Sequence, residues 1–183
     1  MTAPDRLIEL TAPAVRDATR AYLRTRDAQA FERAMQEALA KAHTAAYVRG
    51  LGEQSAGGKV REWLSKLIGD RALPKAEREA IAAKLKSEFG YLHAFVQAAP
   101  DLSDAQIAQR AALYVGAARA TYWQAWAGVE LDCTPGGCPA CYGRCRCSLD
   151  RTADGIYWRG PADAHSCSAC RDRVGRRMDQ QKA

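Results

Sequence analysis

The chain has 183 residues, 48% of them apolar, with a formal net charge of +6, which supplies enough apolar side chain for a core and excludes gross disorder. No stretch reaches the ~18 uninterrupted apolar residues of a membrane span, and the opening Met1-Thr2-Ala3-Pro4-Asp5-Arg6 lacks the basic-then-apolar order of a secretory signal. The expectation is a protein with no membrane anchor, made and kept in a cytosol-like compartment.

Residues 1–130 read as helix almost throughout, rich in Ala, Leu, Arg, Lys and Glu, which lose little side-chain freedom in a helix. A first helix carries Leu7, Ile8, Val15, Ala18, Tyr22 and Leu23, with Pro13 kinking it or sitting in its first turn. Asp27 is placed to cap a second, in which Phe31, Met35, Leu39, Ala42 and Ala46 recur at three-and-four spacing until Gly50 and Gly52 end it. The Gly-rich stretch at 50–59 is the expected linker. It contains Gly57-Gly58-Lys59, but a phosphate loop needs Gly where Glu53 stands and Ser or Thr where Val60 stands, so no nucleotide site is expected.

A short helix through Val60, Trp63, Leu64, Leu67 and Ile68 is expected before Pro74, then a longer one through Ile81, Leu85, Phe89, Leu92 and Val96, stopping before Pro100. Ser103-Asp104-Ala105-Gln106 has the form of a capping box. The last helix should start there and carry Ile107, Ala111, Tyr114, Ala118 and Tyr122 on one side, with Trp123 and Trp126 close by as packing aromatics. His43 and His93 sit within helical pattern, where local hydrogen bonding is their expected role. No Ser/His/Asp set or carboxylate pair gives catalysis a foothold, so the chain is expected not to be an enzyme.

All seven cysteines, at 133, 138, 141, 145, 147, 167 and 170, lie in the last third. In a reducing compartment such a cluster points to a metal site ahead of a disulfide framework, and an odd count leaves one thiol outside any full pairing. The segment 131–175 reads as a small module. Cys141 to Cys147 ends in strand-like alternation, Ser148 to Gly155 turns the chain, and Ile156-Tyr157-Trp158 begins the return.

Zinc suits the module because it asks for four soft ligands in a tetrahedron, with sulfur at about 2.3 Å, and brings no redox chemistry. Two CxxC pairs, Cys138/Cys141 and Cys167/Cys170, form one candidate tetrad. The competing one takes Cys145 or Cys147 in place of Cys138, and Cys167 and Cys170 are common to both. With thiols in surplus, no ligand position is left for water, so the site reads as structural.

From Cys133 onward nine Lys/Arg face five Asp/Glu, so most of the positive charge sits in this module and in the basic tail at 176–183. Arg144, Arg146, Arg176 and Arg177 are weak candidates for nucleic-acid contact; equally, such arginines balance the charge of about −2 on a tetrathiolate zinc site.

Several stretches resemble the minor head, or head-morphogenesis, proteins of tailed bacteriophages. They are Phe89-Gly90-Tyr91-Leu92-His93-Ala94-Phe95, Leu102 to Ile107 leading to Arg110-Ala111-Ala112-Leu113-Tyr114, Ala120-Thr121-Tyr122-Trp123, Cys141-Tyr142-Gly143-Arg144-Cys145-Arg146-Cys147, Tyr157-Trp158, and His165-Ser166-Cys167-Ser168-Ala169-Cys170. Many members of that family place His-Pro-Asn before the Cys-Arg-Cys element, where this chain has Tyr142-Gly143-Arg144, and here Cys-Arg-Cys precedes the second CxxC. The resemblance implies a virion or assembly component, present in the host cytoplasm during assembly, acting in multiple symmetric copies at the portal or inner capsid and handling genome packaging or ejection, with packaged DNA as a further partner. The combined expectation is a mainly α protein, an extended helical N-terminal region followed by a small Cys-rich zinc-binding β-hairpin module. The alternative is a zinc-ribbon regulator that binds nucleic acid through its arginines.

Overall fold

A computed structural model describes residues 3–54, 75–127, 134–136, 146–161, 163 and 166–178. It is mainly α-helical with a single two-stranded antiparallel sheet among the described residues. Helix α1 spans Ala3–Thr25 and runs through Pro13. It stops where Arg26 takes a left-handed conformation (φ 55°), its N–H bonded to the Tyr22 carbonyl at 2.7 Å. The Asp27 carboxylate then accepts the Ala30 N–H at 2.9 Å, the expected cap, and starts α2 at Ala28–Gln54. A two-residue connection thus folds α1 back on α2, with Tyr22 stacked on Phe31 at 4.7 Å between centroids.

Helix α3, Lys75–Ala98, ends in a 3₁₀ turn over Ala99–Asp101 that accommodates Pro100 in its first positions. Helix α4, Asp104–Val115, opens on the anticipated capping box: Gln106 N–H donates to Ser103 Oγ at 3.3 Å, and Ser103 N–H donates to Gln106 Oε1 at 2.9 Å.

Three expectations are corrected. The last helix is two helices, because the chain bends at Gly116–Ala117 and restarts as α5, Ala118–Ala127. The reason is a change of pattern: α4 buries one stripe (Ile107, Ala111, Val115), whereas α5 buries residues all round, including Ala118, Ala120, Tyr122, Trp123, Ala125 and Ala127, and so has to leave the surface direction of α4. The linker placed at 50–59 does not begin at Gly50, since α2 keeps its helical bonding through Gln54; positions 55–59 and the short helix expected at 60–68 lie outside the described residues. Nor is the helical region extended. The helices turn back on one another around two cores, since each carries an apolar face that a neighbouring element has to cover.

The first core is filled from α1 (Val15, Tyr22), the N-terminal half of α2 (Phe31, Met35, Leu39), α3 (Leu92, Phe95, Val96) and α4 (Ile107, Ala111). Each fully buried large side chain there contributes about 2 kcal/mol. Tyr114 joins it, stacked on Phe95 at 6.0 Å. The second core lies farther along α2. Ala42 and Ala46 meet Ala118, Tyr122 and Trp123 of α5, and above them sit Cys147, Leu149, Trp158, Cys170 and Met178. Between the cores is His43, completely buried, its Nδ1 2.7 Å from Thr121 Oγ1.

Gly50 explains how α2 and α5 come so close. A Cβ there would strike the Tyr122 carbonyl oxygen and lie 2.9 Å from both Ala125 Cβ and the Trp126 nitrogen. Its role is close backbone approach, in line with Ala46 and Ala42 one and two turns earlier on the same face. Past this contact, Tyr122 Oη donates to Glu53 Oε2 at 2.5 Å, joining the last turn of α2 to α5.

Candidate metal-binding module

Strand β1 spans Ser148–Thr152 and β2 Gly155–Arg159, paired antiparallel with Leu149 opposite Trp158. The first strand therefore occupies residues expected to turn, and the turn is only Ala153–Asp154. Two interactions explain the shift. The Asp154 carboxylate accepts the hydroxyls of Thr152 and of Tyr157 (2.6 Å to the latter), which hold its carboxyl below the ordinary range. Gly155, at φ 151°, takes a conformation that other residues rarely adopt, and the Arg177 side chain lies where a Cβ would be.

Leu149 and Trp158 point down into the second core. The chain after the last short helix completes the layer: Gly175 N–H donates to the Trp158 carbonyl at 2.8 Å, Trp158 N–H to the Arg176 carbonyl at 3.1 Å, and Arg177 bridges to Tyr157. Met178 is then buried beneath, so the first three residues of the stretch read as a basic tail lie against β2.

Of the candidate ligands, Cys147, Cys167 and Cys170 fall among the described residues, while Cys138, Cys141 and Cys145, with Cys133 and His165, lie outside them. Cys147 leads into β1 and is buried, its sulfur facing Gly160: a Cβ on that glycine would lie 2.7 Å from Sγ. Cys167 adopts an extended conformation (φ −64°, ψ 155°) and caps the one-turn helix α6, Ser168–Arg171. Its Sγ accepts the Cys170 N–H at 3.4 Å, and its carbonyl accepts the Arg171 N–H at 3.0 Å.

Cys170 is 2% exposed and belongs to the same buried cluster as Cys147 and Trp158, whereas Cys167 is half-buried at its edge. A CxxC turn in which a backbone N–H points at the first sulfur is suited to thiolate, because the N–H stabilises negative charge on sulfur. The donor set is soft and sulfur-based, one of the sets that suit zinc. Among the described residues no group of three His, Cys, Asp or Glu side chains is gathered closely enough to hold an ion, so a complete tetrad takes at least two ligands from outside them, where Cys138, Cys141 and Cys145 lie.

The arginines divide. Arg146 pairs with Asp163 at 2.5 Å, tying the approach to β1 to the loop after β2; that loop is closed by Ser166 Oγ, which donates to the Pro161 carbonyl. Arg177 covers Gly155, Arg159 pairs with Asp150 at 3.4 Å, and Arg173 lies over the Trp158 ring at 5.7 Å. Arg176 is exposed, and Arg144 lies outside the described residues.

Sequence reasoning missed the residue that fixes the module to the helices. Arg151 donates to the carbonyls of Trp126 (2.9 Å) and Ala127 (3.1 Å) at the C-terminus of α5, and lies over the Trp126 ring at 4.9 Å. It satisfies the orphan carbonyls of a helix end and complements its negative dipole, as no sequence spacing could have announced. Thr134–Gly136 are pinned to α5 in turn: Thr134 Oγ1 donates to the Ala120 carbonyl at 3.3 Å, and Gly136, at φ 86°, packs against Arg119.

His43 bonds to Thr121 and His93 to Glu32 at 3.1 Å, both between helices. No helix among the described residues is long and apolar enough to cross a membrane. Compared with known proteins, the chain matches no family model, no curated protein and no solved structure.

Proposed function

We propose that this chain is a non-enzymatic structural protein of a tailed-phage particle, a minor head or head-morphogenesis component acting near the portal, with one structural zinc held by cysteines of its tail. The zinc assignment rests on the Cys167–Cys170 turn, with its N–H directed at sulfur and Cys170 sunk into the cluster that also holds Cys147. Cys167 and Cys170 supply two ligands, and two of Cys138, Cys141, Cys145 and Cys147 supply the rest. The virion assignment rests on the resemblance of the Cys-Arg-Cys and CxxC elements and of the helical stretches before them. In this role the helices present a body for docking on ring-forming portal or capsid subunits, and the metal holds folded a segment too small to sustain a core of its own.

The test is to purify the particles with which the chain travels and measure its copy number in them. A fixed copy number in purified particles and co-sedimentation with the portal are expected. A chain that stays outside particles and binds DNA with a steep salt dependence would instead be a zinc-ribbon regulator. The intramolecular engagement of Arg146, Arg159 and Arg177 weighs against that alternative.

A further inference from the structure

Between α6 and the buried Met178 the chain turns sharply, and the stretch 171–177 sets Arg171, Arg173, Arg176 and Arg177 against a single carboxylate, Asp172. Its backbone is fixed by hydrogen bonds. Arg173 N–H donates to the Cys170 carbonyl at 3.1 Å, Arg176 N–H to the Arg173 carbonyl at 2.9 Å, and Gly175 N–H to the Trp158 carbonyl at 2.8 Å. Arg171 and Arg176 are exposed, and the Arg173 guanidinium lies over the Trp158 ring, which orients it without cancelling its charge. Gly175, between Arg173 and Arg176, takes a left-handed conformation (φ 79°), and a Cβ there would meet nothing within 4 Å, so the turn is open to close approach from outside.

Other arginines of the module are spent inside the chain: Arg146 on Asp163, Arg159 on Asp150, Arg151 on the end of α5. Among the described residues Arg171, Arg173 and Arg176 form no ion pair. Three like charges fixed within six residues repel one another, and an external anion relieves that repulsion. A protein partner would find no apolar anchor beside them. Among the described residues the exposed large apolar side chain is Tyr91, on α3, whereas protein interfaces are built round such anchors and membrane surfaces take inserted apolar groups. The backbone of a nucleic acid asks only for positive charge, and the guanidinium fork matches its phosphate oxygens.

We propose that the turn carrying Arg171, Arg173 and Arg176 is a phosphate-contacting surface that binds duplex DNA through its backbone, without regard to sequence. The contact draws on neither the metal nor the particle proposed above, so its failure leaves both of those readings standing. It also differs from the contact a regulator makes, which reads base edges at a particular site.

The experiment is fluorescence anisotropy of two labelled duplexes of unrelated sequence, about 24 base pairs each, titrated with the full chain from about 50 to about 200 mM salt. Both are expected to bind equally well, with the logarithm of affinity falling against the logarithm of salt concentration at a slope of about −3. Arg171→Gln/Arg176→Gln is expected to weaken binding at least about tenfold at the lowest salt and to make the slope shallower by about two. The control Arg16→Gln/Arg24→Gln removes the same charge from two exposed positions on α1 and should bind like the parent. If the first double variant does not fold, the single substitutions Arg171→Gln and Arg176→Gln decide, each expected to make the slope shallower by about one. A parent that does not bind, equal losses in the two double variants, or binding to one sequence alone overturns the proposal. Displacement of the DNA by polyglutamate at equal charge also overturns it, since the surface would then be a site for acidic protein.

Discussion

The core beneath α1 and α3 is filled by large side chains such as Phe31, Met35, Leu39, Leu92 and Ile107, whereas α2 enters the core beneath the hairpin with the small residues Ala42, Ala46 and Gly50, and large side chains from α5 and the module, among them Tyr122, Trp123, Leu149, Trp158 and Met178, fill the rest. One helix serves both, and its composition changes from bulky to small about where His43 is buried. The first region buries enough apolar surface to hold itself. The second gains close helix approach through the small residues of α2, and its upper layer is two five-residue strands and a single helical turn, the segment that the proposed zinc would hold.

Substitutions that separate these regions should differ in size. The largest effect is expected from Cys170→Ser, which removes a ligand common to both tetrads: zinc is lost and the hairpin unfolds, while the helical circular dichroism of the first core persists. Loss of near-ultraviolet tryptophan signal without full loss of helix would establish this, and retained stoichiometric zinc would contradict it. Trp158→Ala comes next, since that indole is fully buried and touches both hairpin and α5, at about 4 kcal/mol. Leu39→Ala in the first core should cost about 3 kcal/mol, read from urea unfolding, and leave zinc affinity unchanged.

A pH effect should appear at the junction. Burial, aided by nearby Lys84, pushes His43 down from 6.5 to about 4. The unfolded chain takes up a proton there first, so the stabilisation is complete above pH 6.5 and is lost as pH falls toward 4, by up to about 3 kcal/mol. His43→Gln should flatten stability between pH 6.5 and 4. The smallest effect is expected from Arg26→Gln: the ion pair with Asp104 at 2.6 Å is exposed on both sides and should scarcely move the melting temperature.

The first region was legible in the sequence because its signals are local. Asp27 caps as its residue type predicts, Ser103 and Gln106 close a capping box, and Phe31, Met35, Leu39 and Leu92 announce a buried face by spacing. The second region was less so, for identifiable reasons. Gly50 looks like a helix end and is a point of contact with α5, a role that depends on a helix seventy residues later. The hairpin starts at Ser148 because of the bonds that Thr152 and Tyr157 make to Asp154 and the space Arg177 occupies over Gly155, none of which the alternation around Cys145 reveals. In the candidate site, the cysteine turn at 167–170 was readable from CxxC spacing, while the burial of Cys147 under Gly160 and the anchoring by Arg151 depend on tertiary structure.

Native mass spectrometry of the full chain, isolated without added chelator or metal, tests the central claim most directly. The account predicts one species heavier than the polypeptide by a single zinc, with protons lost to thiolate formation, that reverts to the bare polypeptide mass when the protein is denatured in acid. A folded species at the bare polypeptide mass, or one lighter by the hydrogens of cysteine disulfides, would contradict it.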